Sequence, residues 1–230
     1  MRPQAFFLPI EEKALFSKKF FTMIETQATA QKPSKKRKTI PSYLVRDVIG
    51  GEPYYYKGWQ AVVNGTKTFD DIMGCSSLQA VIIGYLTQFY YTKINNPALW
   101  FFTGETGNNL RKKVNMSFDV AVYDKKDLPA SKISPKYASV PPKIVIEVDL
   151  KVDPGKKTEL ELVREKIQEL LDYGVEKVMW VLTSTRQVLI ATPGNDWIFR
   201  DWNKEVELID GHLFNIGQHL KSEGIPQAGK

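Results

Sequence analysis

The sequence holds a single cysteine, Cys75, and only two histidines, His212 and His219, in 230 residues. A lone thiol can neither close an intramolecular disulfide nor build a cysteine-based zinc site, and both points favour a reducing, cytoplasmic setting. The histidines lie near the C-terminus with no second histidine at ligand spacing, which argues against a zinc centre or a Ser/His/Asp triad. Long apolar runs are missing too. Ile144 to Ile146 and Val178 to Leu182 fall far short of the roughly 18 residues that cross a bilayer, so no membrane span is expected. Phe6 and Phe7 are followed at once by Glu11 and Glu12, which leaves no signal-peptide core. Gly104-Glu105-Thr106-Gly107 lacks the lysine-serine end of a phosphate-binding loop. The absence of any fixed internal period sets aside solenoids and propellers.

A hydrophobic content of 43% lets a chain of this length bury one sizeable core. The formal charge of +6 is unevenly placed, because residues 1–40 carry nine Lys/Arg against three Asp/Glu and so account for all of it. Much of that excess sits in Lys35, Lys36, Arg37 and Lys38, a run suited to nucleic-acid phosphates by charge alone, or equally to a solvated linker. Upstream, Ile10, Ala14, Phe16, Phe20, Phe21 and Ile24 are spaced for an amphipathic helix over 11–26. Its aromatics have to dock on the body or on a partner, and a homodimer is one such assembly. The expected organisation is an N-terminal helix and basic linker over 1–40, one folded domain over 41–221 and a frayed tail over 222–230.

Within the domain, Tyr43 to Ile49 and Glu52 to Tyr56 read as a hairpin about Gly50-Gly51. Leu78, Val81, Ile82, Tyr85, Leu86 and Phe89 form the stripe of a helix from Ser76 to Tyr91, with Ser76 or Ser77 as its cap. Strands are expected at Leu99 to Thr103, Met116 to Tyr123 and Lys143 to Asp149, the first followed by a polar loop from Gly104 to Lys113. A helix from Thr158 to Tyr173 is closed by Gly174, and the apolar run Lys177 to Leu182 reads as a buried central strand. Shorter strands follow at Gln187 to Ala191 and Trp197 to Asp201. Strand–strand–strand–helix–strand is an α+β order. Tyr54-Tyr55-Tyr56 with Lys57 and Trp59 could stack on bases or pack within a short strand.

Two acids interrupt otherwise apolar strands, where an unpaired charge is costly to bury. In Phe118 to Tyr123 alternation puts Asp119 with Ala121 and Tyr123, opposite Phe118, Val120 and Val122. In Ile144 to Asp149 it puts Glu147 with Val145 and Asp149. Neighbouring strands would bring three carboxylates onto one face, a cluster that a hard cation such as Mg²⁺ or Mn²⁺ neutralises. The competing reading leaves Asp119 in a salt bridge and Glu147 and Asp149 at the wet end of a strand. Lys166, on the flank of the next helix, could stabilise charge on a phosphate or simply be solvated. Gln79, Ser76, Asp70 and Asp71 fit helix capping better than metal contact, and Glu105 is a weaker candidate still.

The ordered set Phe118-Asp119, Lys143 to Val148, Lys166 and Gly174 to Val181 resembles the Uma2 family, a restriction-endonuclease-like group of the PD-(D/E)XK nuclease superfamily. The likeness covers roughly residues 70–220. It implies a restriction-endonuclease-like core with a mixed sheet flanked by helices, and an endonuclease that hydrolyses DNA phosphodiester bonds. Asp119 and Glu147 would bind Mg²⁺ or Mn²⁺, and Lys166 would supply the lysine from the helix. Two departures stand out. Phe118 replaces the usual proline, and Asp149 occupies the place of the superfamily's lysine, which keeps a non-catalytic nucleic-acid- or protein-binding member of the same fold as the alternative. Lys151 shares the parity of Glu147, but Asp153-Pro154-Gly155 places a turn almost at once.

Overall fold

The computed structural model describes residues 39–112 and 114–226, so the helix expected over 11–26 and the run Lys35 to Lys38 lie outside the described residues. In chain order, β1 (Val45–Ile49) and β2 (Glu52–Tyr55) form the hairpin, followed by two short helices, α1 (Trp59–Val63) and α2 (Asp70–Met73). The helix α3 (Ser77–Phe89) runs on into a π-helical turn, Tyr90–Ile94. Next come β3 (Leu99–Arg111), β4 (Val114–Asp124), β5 (Ile144–Val148), α4 (Glu159–Tyr173) and β6 (Lys177–Leu182). The chain closes with β7 (Gln187–Ala191), β8 (Ile198–Asp201), the hairpin β9 (Val206–Ile209) and β10 (His212–Phe214), and α5 (Ile216–Ser222).

Strands β3 to β8 make one six-stranded sheet in sequence order. All its pairings are antiparallel except β5 with β6, and that parallel pair is what the α4 crossover between them requires. Every residue of β5 is buried, as expected of a strand covered on both faces. One face carries α4 and the β1–β2 hairpin, packed on Ala121, Tyr123, Val145, Val178 and Trp180 through Leu162, Val163, Ile167 and Leu170. The other carries α3 and α5, with Ile82 and Leu86 against Val120, Val122, Ile146 and Val148. The sheet is thus the middle layer of an α+β sandwich, and its functional face is decided by which side each strand residue points to.

Local sequence explains most boundaries. Ser76 caps α3 by accepting from the Gln79 amide at 3.1 Å. Thr158 and Glu161 form a reciprocal capping box on α4, and Gly174 ends that helix at φ 114°. Gly50 and Gly51, both at positive φ, supply the turn of the first hairpin. The stretch expected as a polar loop after Thr103 is instead the second half of β3, paired through to Arg111. Gly104 and Glu105, at φ 80° and 62°, form a bulge that absorbs the break in alternation. Phe118 also departs from simple alternation. It lies in the α4-side core with Met116, although Val120 and Val122 face α3, so the strand changes phase just before Asp119. Below α4, Asn108 is fully buried and donates to the Tyr123 hydroxyl and the Val140 carbonyl, while the Tyr173 hydroxyl donates to its Oδ1.

Ile167 is fully buried beside Lys166 and fixes α4 to the sheet. Ile167→Ala is expected to lower the unfolding free energy by about 2–5 kcal/mol in urea titrations, the usual cost of an apolar truncation that leaves a cavity.

Candidate active site

The β4–β5 ladder runs only from Val122↔Ile144 to Val120↔Ile146, and the two strands diverge at the next residue. Asp119 sits at that fork. Its Oδ2 accepts from the Val148 amide at 2.9 Å and from Gln79 Nε2 at 3.0 Å, while Lys151 Nζ donates to Oδ1 at 2.6 Å. The first bond satisfies a backbone donor that has lost its strand partner, so the carboxylate takes over the ladder's role where the ladder ends. Gln79, expected as a helix-capping residue, reaches Asp119 from the first turn of α3, and Ser76 provides the cap.

Glu147 lies one pleat further along β5, on the α4 face, opposite Trp180 of β6. Lys166 Nζ donates to Glu147 Oε1 at 3.0 Å and to Asp47 Oδ2 at 2.9 Å, and it lies 5.4 Å from the centre of the Trp180 ring. Asp119, Glu147 and Asp47 are each only 2% exposed, and the Lys166 side chain 4%. Lys166 is therefore not a solvated helix lysine but the counter-charge of two buried acids. Burial pushes the Glu147 carboxyl up to about 7, with Asp119 and Asp47 adding to the rise and Lys166 and Arg46 opposing it. Burial alone would lower the Lys166 ammonium, but Asp47 and Glu147 outweigh it and hold its pKa above the ordinary lysine value.

Asp47 is absent from the residues that sequence singles out, although it carries the signal that marks Asp119: an acid inside an apolar strand, Val45-Arg46-Asp47-Val48-Ile49. A bulge between Val45 and Asp47 makes Arg46 the extra residue of β1 and turns both charges toward the site. Arg46 Nη2 lies 2.9 Å from Glu105 Oε2, and Glu105 also accepts from Lys151. The result is a continuous network of four carboxylates (Asp47, Glu105, Asp119 and Glu147) and three cations (Arg46, Lys151 and Lys166).

Asp149 does not join it. The residue stands just past the end of β5 at φ 58°, and its carboxylate accepts from the Thr183 amide and hydroxyl at 2.8 and 2.6 Å. Strand parity stops applying where the backbone turns left-handed, so the third carboxylate of the expected cluster faces the β6–β7 turn. It lines a groove of about 790 Å³ with Thr183, Leu160 and Phe199, which Asp119 and Glu147 do not line. The same turn brings Lys151 back toward Asp119. Backbone bonds from Lys57 N to the Lys151 carbonyl and from Asp153 N to the Tyr55 carbonyl hold that segment against the end of β2. Asp70 and Asp71 stay in the exposed first turn of α2.

Hard oxygen donors suit a magnesium-type cation, which keeps most of its waters and needs only one or two carboxylates. Asp119 and Glu147 supply that pair, and Asp47 Oδ1 is a buried carboxylate oxygen without a hydrogen-bond partner. Among the described residues no three His, Cys, Asp or Glu side chains stand together as a ready metal cage. The residues therefore fit a two-carboxylate ion and not an all-protein one.

Two measurements check this electrostatic account. A carboxyl that titrates near 4.5 when unfolded and near 7 when folded holds its proton more tightly in the folded state. Its contribution to stability therefore falls as pH rises from about 4.5 to about 7, and the whole cost is present above 7. Glu147→Gln and the unaltered protein are expected to melt alike at pH 5, with the variant gaining as pH rises to 8. Lys166→Ala leaves two buried acids without their counter-charge and is expected to cost about 3–5 kcal/mol by chemical denaturation.

No protein-family model and no curated protein matches the sequence. The structure is similar to a crystal structure from Anabaena variabilis ATCC 29413 described as "a putative nuclease belonging to DUF820", with a TM-score of 0.57 and 11% identity over 80% of this chain and 94% of that one. DUF820 is the Uma2-type group whose sequence pattern this chain resembles, and the likeness in space is one of fold. The chain thus has the restriction-endonuclease-like fold, a mixed six-stranded sheet flanked by helices, that it shares with that protein.

Proposed function

We propose that the protein is a metal-dependent nuclease that hydrolyses DNA phosphodiester bonds, with Asp119 and Glu147 holding a Mg²⁺ or Mn²⁺ ion. The observation that carries this reading is the placement of these two acids on adjacent strands at the point where β4 and β5 diverge, each fixed by its own set of donors. Once Glu147 is ionised the network has one more carboxylate than cations, so a further positive charge is attracted to it. When bound, the metal supplies Lewis-acid stabilisation of the phosphate and a more acidic water. The chain's own residues do the positioning. Gln79 and the Val148 amide hold Asp119 Oδ2, and Lys166 holds Glu147 Oε1, so neither carboxylate has to reorganise when substrate arrives. In the reaction a water oxygen bonds to phosphorus, the P–O ester bond breaks, and the leaving alcohol takes up a proton. Lys166 acts here as a positioning residue, since reaching a phosphate would strip both Asp47 and Glu147 of their partner.

The second reading is a non-catalytic protein of the same fold. Its support is the near-complete burial of Asp119 and Glu147, each already paired with a lysine.

The deciding experiment follows cleavage of plasmid and short linear DNA in Mg²⁺ or Mn²⁺ alongside the melting temperature. A nuclease should cut in metal and lose activity to background in Asp119→Asn and Glu147→Gln. Either metal should raise its melting temperature more at pH 8 than at pH 6, because Glu147 must shed its proton to bind. No cleavage and no metal-dependent shift would favour the non-catalytic reading, and cleavage undiminished in both variants would overturn the site.

A further inference from the structure

The ion pairs around Glu105 have the form of an anion site. Arg46 and Lys151 come from separate segments, the bulge of β1 and the turn after β5, and converge on one carboxylate: Arg46 Nη2 at 2.9 Å from Oε2 and Lys151 Nζ at 2.5 Å from Oε1. The two cations are well sheltered, with side chains 3% and 15% exposed, whereas Glu105 is 40% exposed. Arg46 Nε is buried and has no hydrogen-bond partner, so the guanidinium fork is not fully used by the group it now holds. A phosphate, with more acceptor oxygens than a carboxylate, could engage that donor as well. Glu105 is also held at φ 62°, a left-handed conformation that is strained for a non-glycine residue. Lys151 simultaneously donates to Asp119, so an anion gripped by this pair would lie beside the carboxylate assigned to the metal.

We propose that Arg46 and Lys151 form the phosphate-binding pair of the site, and that Glu105 occupies their place in the free protein until a DNA backbone phosphate displaces it. Lys151, rather than Lys166, is then the lysine that touches the phosphate. It stands four residues after Glu147 because the left-handed turn at Asp149 delays its return to the site. The identity of the anion as a DNA phosphate rests on the nuclease reading; the existence of the anion site does not. The exposed Glu105 can swing outward on its bulge without unpairing any buried charge, since Arg46 and Lys151 keep Asp47 and Asp119 as neighbours.

The test uses the full chain in EDTA, so that neither cleavage nor metal enters. Binding of a short fluorescein-labelled duplex is followed by anisotropy over a range of salt for the unaltered protein, Glu105→Gln and Lys151→Gln, with circular dichroism as the folding control. Melting in sodium phosphate is compared with melting in sodium chloride of equal ionic strength. Glu105→Gln should bind the duplex several-fold more tightly and gain more stability from phosphate than the unaltered protein does. Lys151→Gln should bind more weakly, with a salt slope shallower by about 0.9, the value of one phosphate contact. Equal affinities and slopes in all three, with DNA bound, would overturn the proposal and leave the nuclease reading standing. Phosphate stabilisation of Glu105→Gln without duplex binding by any of the three would uphold the anion site and sink the nuclease reading. No response to either ligand overturns the proposal outright. If Lys151→Gln fails to fold, the exposed Glu105→Gln decides alone.

Discussion

Lys166 lies between Asp47 of β1 and Glu147 of β5, and its ammonium is the buried counter-charge that both acids share. Satisfying that constraint ties the first hairpin to the β5–α4 crossover, from which it is about a hundred residues distant in sequence. The apolar side chains of α4 contribute most of the binding energy between helix and sheet. Leu162, Val163, Ile167 and Leu170 pack on the sheet, and the two-carboxylate clasp on Lys166 adds a directional contact within that apolar face. The same site raises the pKa of Glu147 toward neutrality, because burial outweighs the single lysine in reach. Above neutral pH that burial costs stability, because Glu147 must then carry its charge in the interior.

Asp119 meets a related demand in a different way. Where β4 and β5 diverge, the Val148 amide needs an acceptor, and Asp119 provides it with the oxygen that Gln79 also holds. The site thus lies at the end of a β-ladder because that is where the backbone leaves groups unsatisfied that a side chain can serve. The flanking β-bulges at Arg46 and at Gly104-Glu105 also shape the network: the first turns Arg46 inward, and the second holds the exposed Glu105 where Arg46 and Lys151 reach it.

Charge is close to balanced across the site, and this shapes how it could work. Each carboxylate has a cationic neighbour, so the charges offset one another in the free protein, and under the proposed reading a metal or a phosphate would take the place of one of these partners. Glu105 is the one member of the network largely open to solvent, which makes it the natural first group to yield. The 790 Å³ groove near Asp149 is lined by Leu150, Leu160, Val163, Leu182 and Phe199 together with Thr183 and the exposed Lys57–Glu159 pair, and shares no residue with the buried network.

Much of this was legible in the sequence. Alternation and apolar runs located the strands, the Thr158 box and Gly174 bounded α4, and acids inside apolar strands marked Asp119 and Glu147, because these are local signals with a fixed period. The same signal was present at Asp47. Sequence ends the strand at Thr103, although β3 continues to Arg111, because a bulge looks like a loop when only composition is visible. Parity carries Asp149 into the cluster and leaves Lys151 beyond a turn. The structure reverses those two because a left-handed residue after β5 ends the alternation on which parity depends. The sequence by itself determined the α+β order and the pair of acids. Only tertiary structure decided which cation serves which acid, since pairing among buried charges depends on distances between segments that no sequence period encodes.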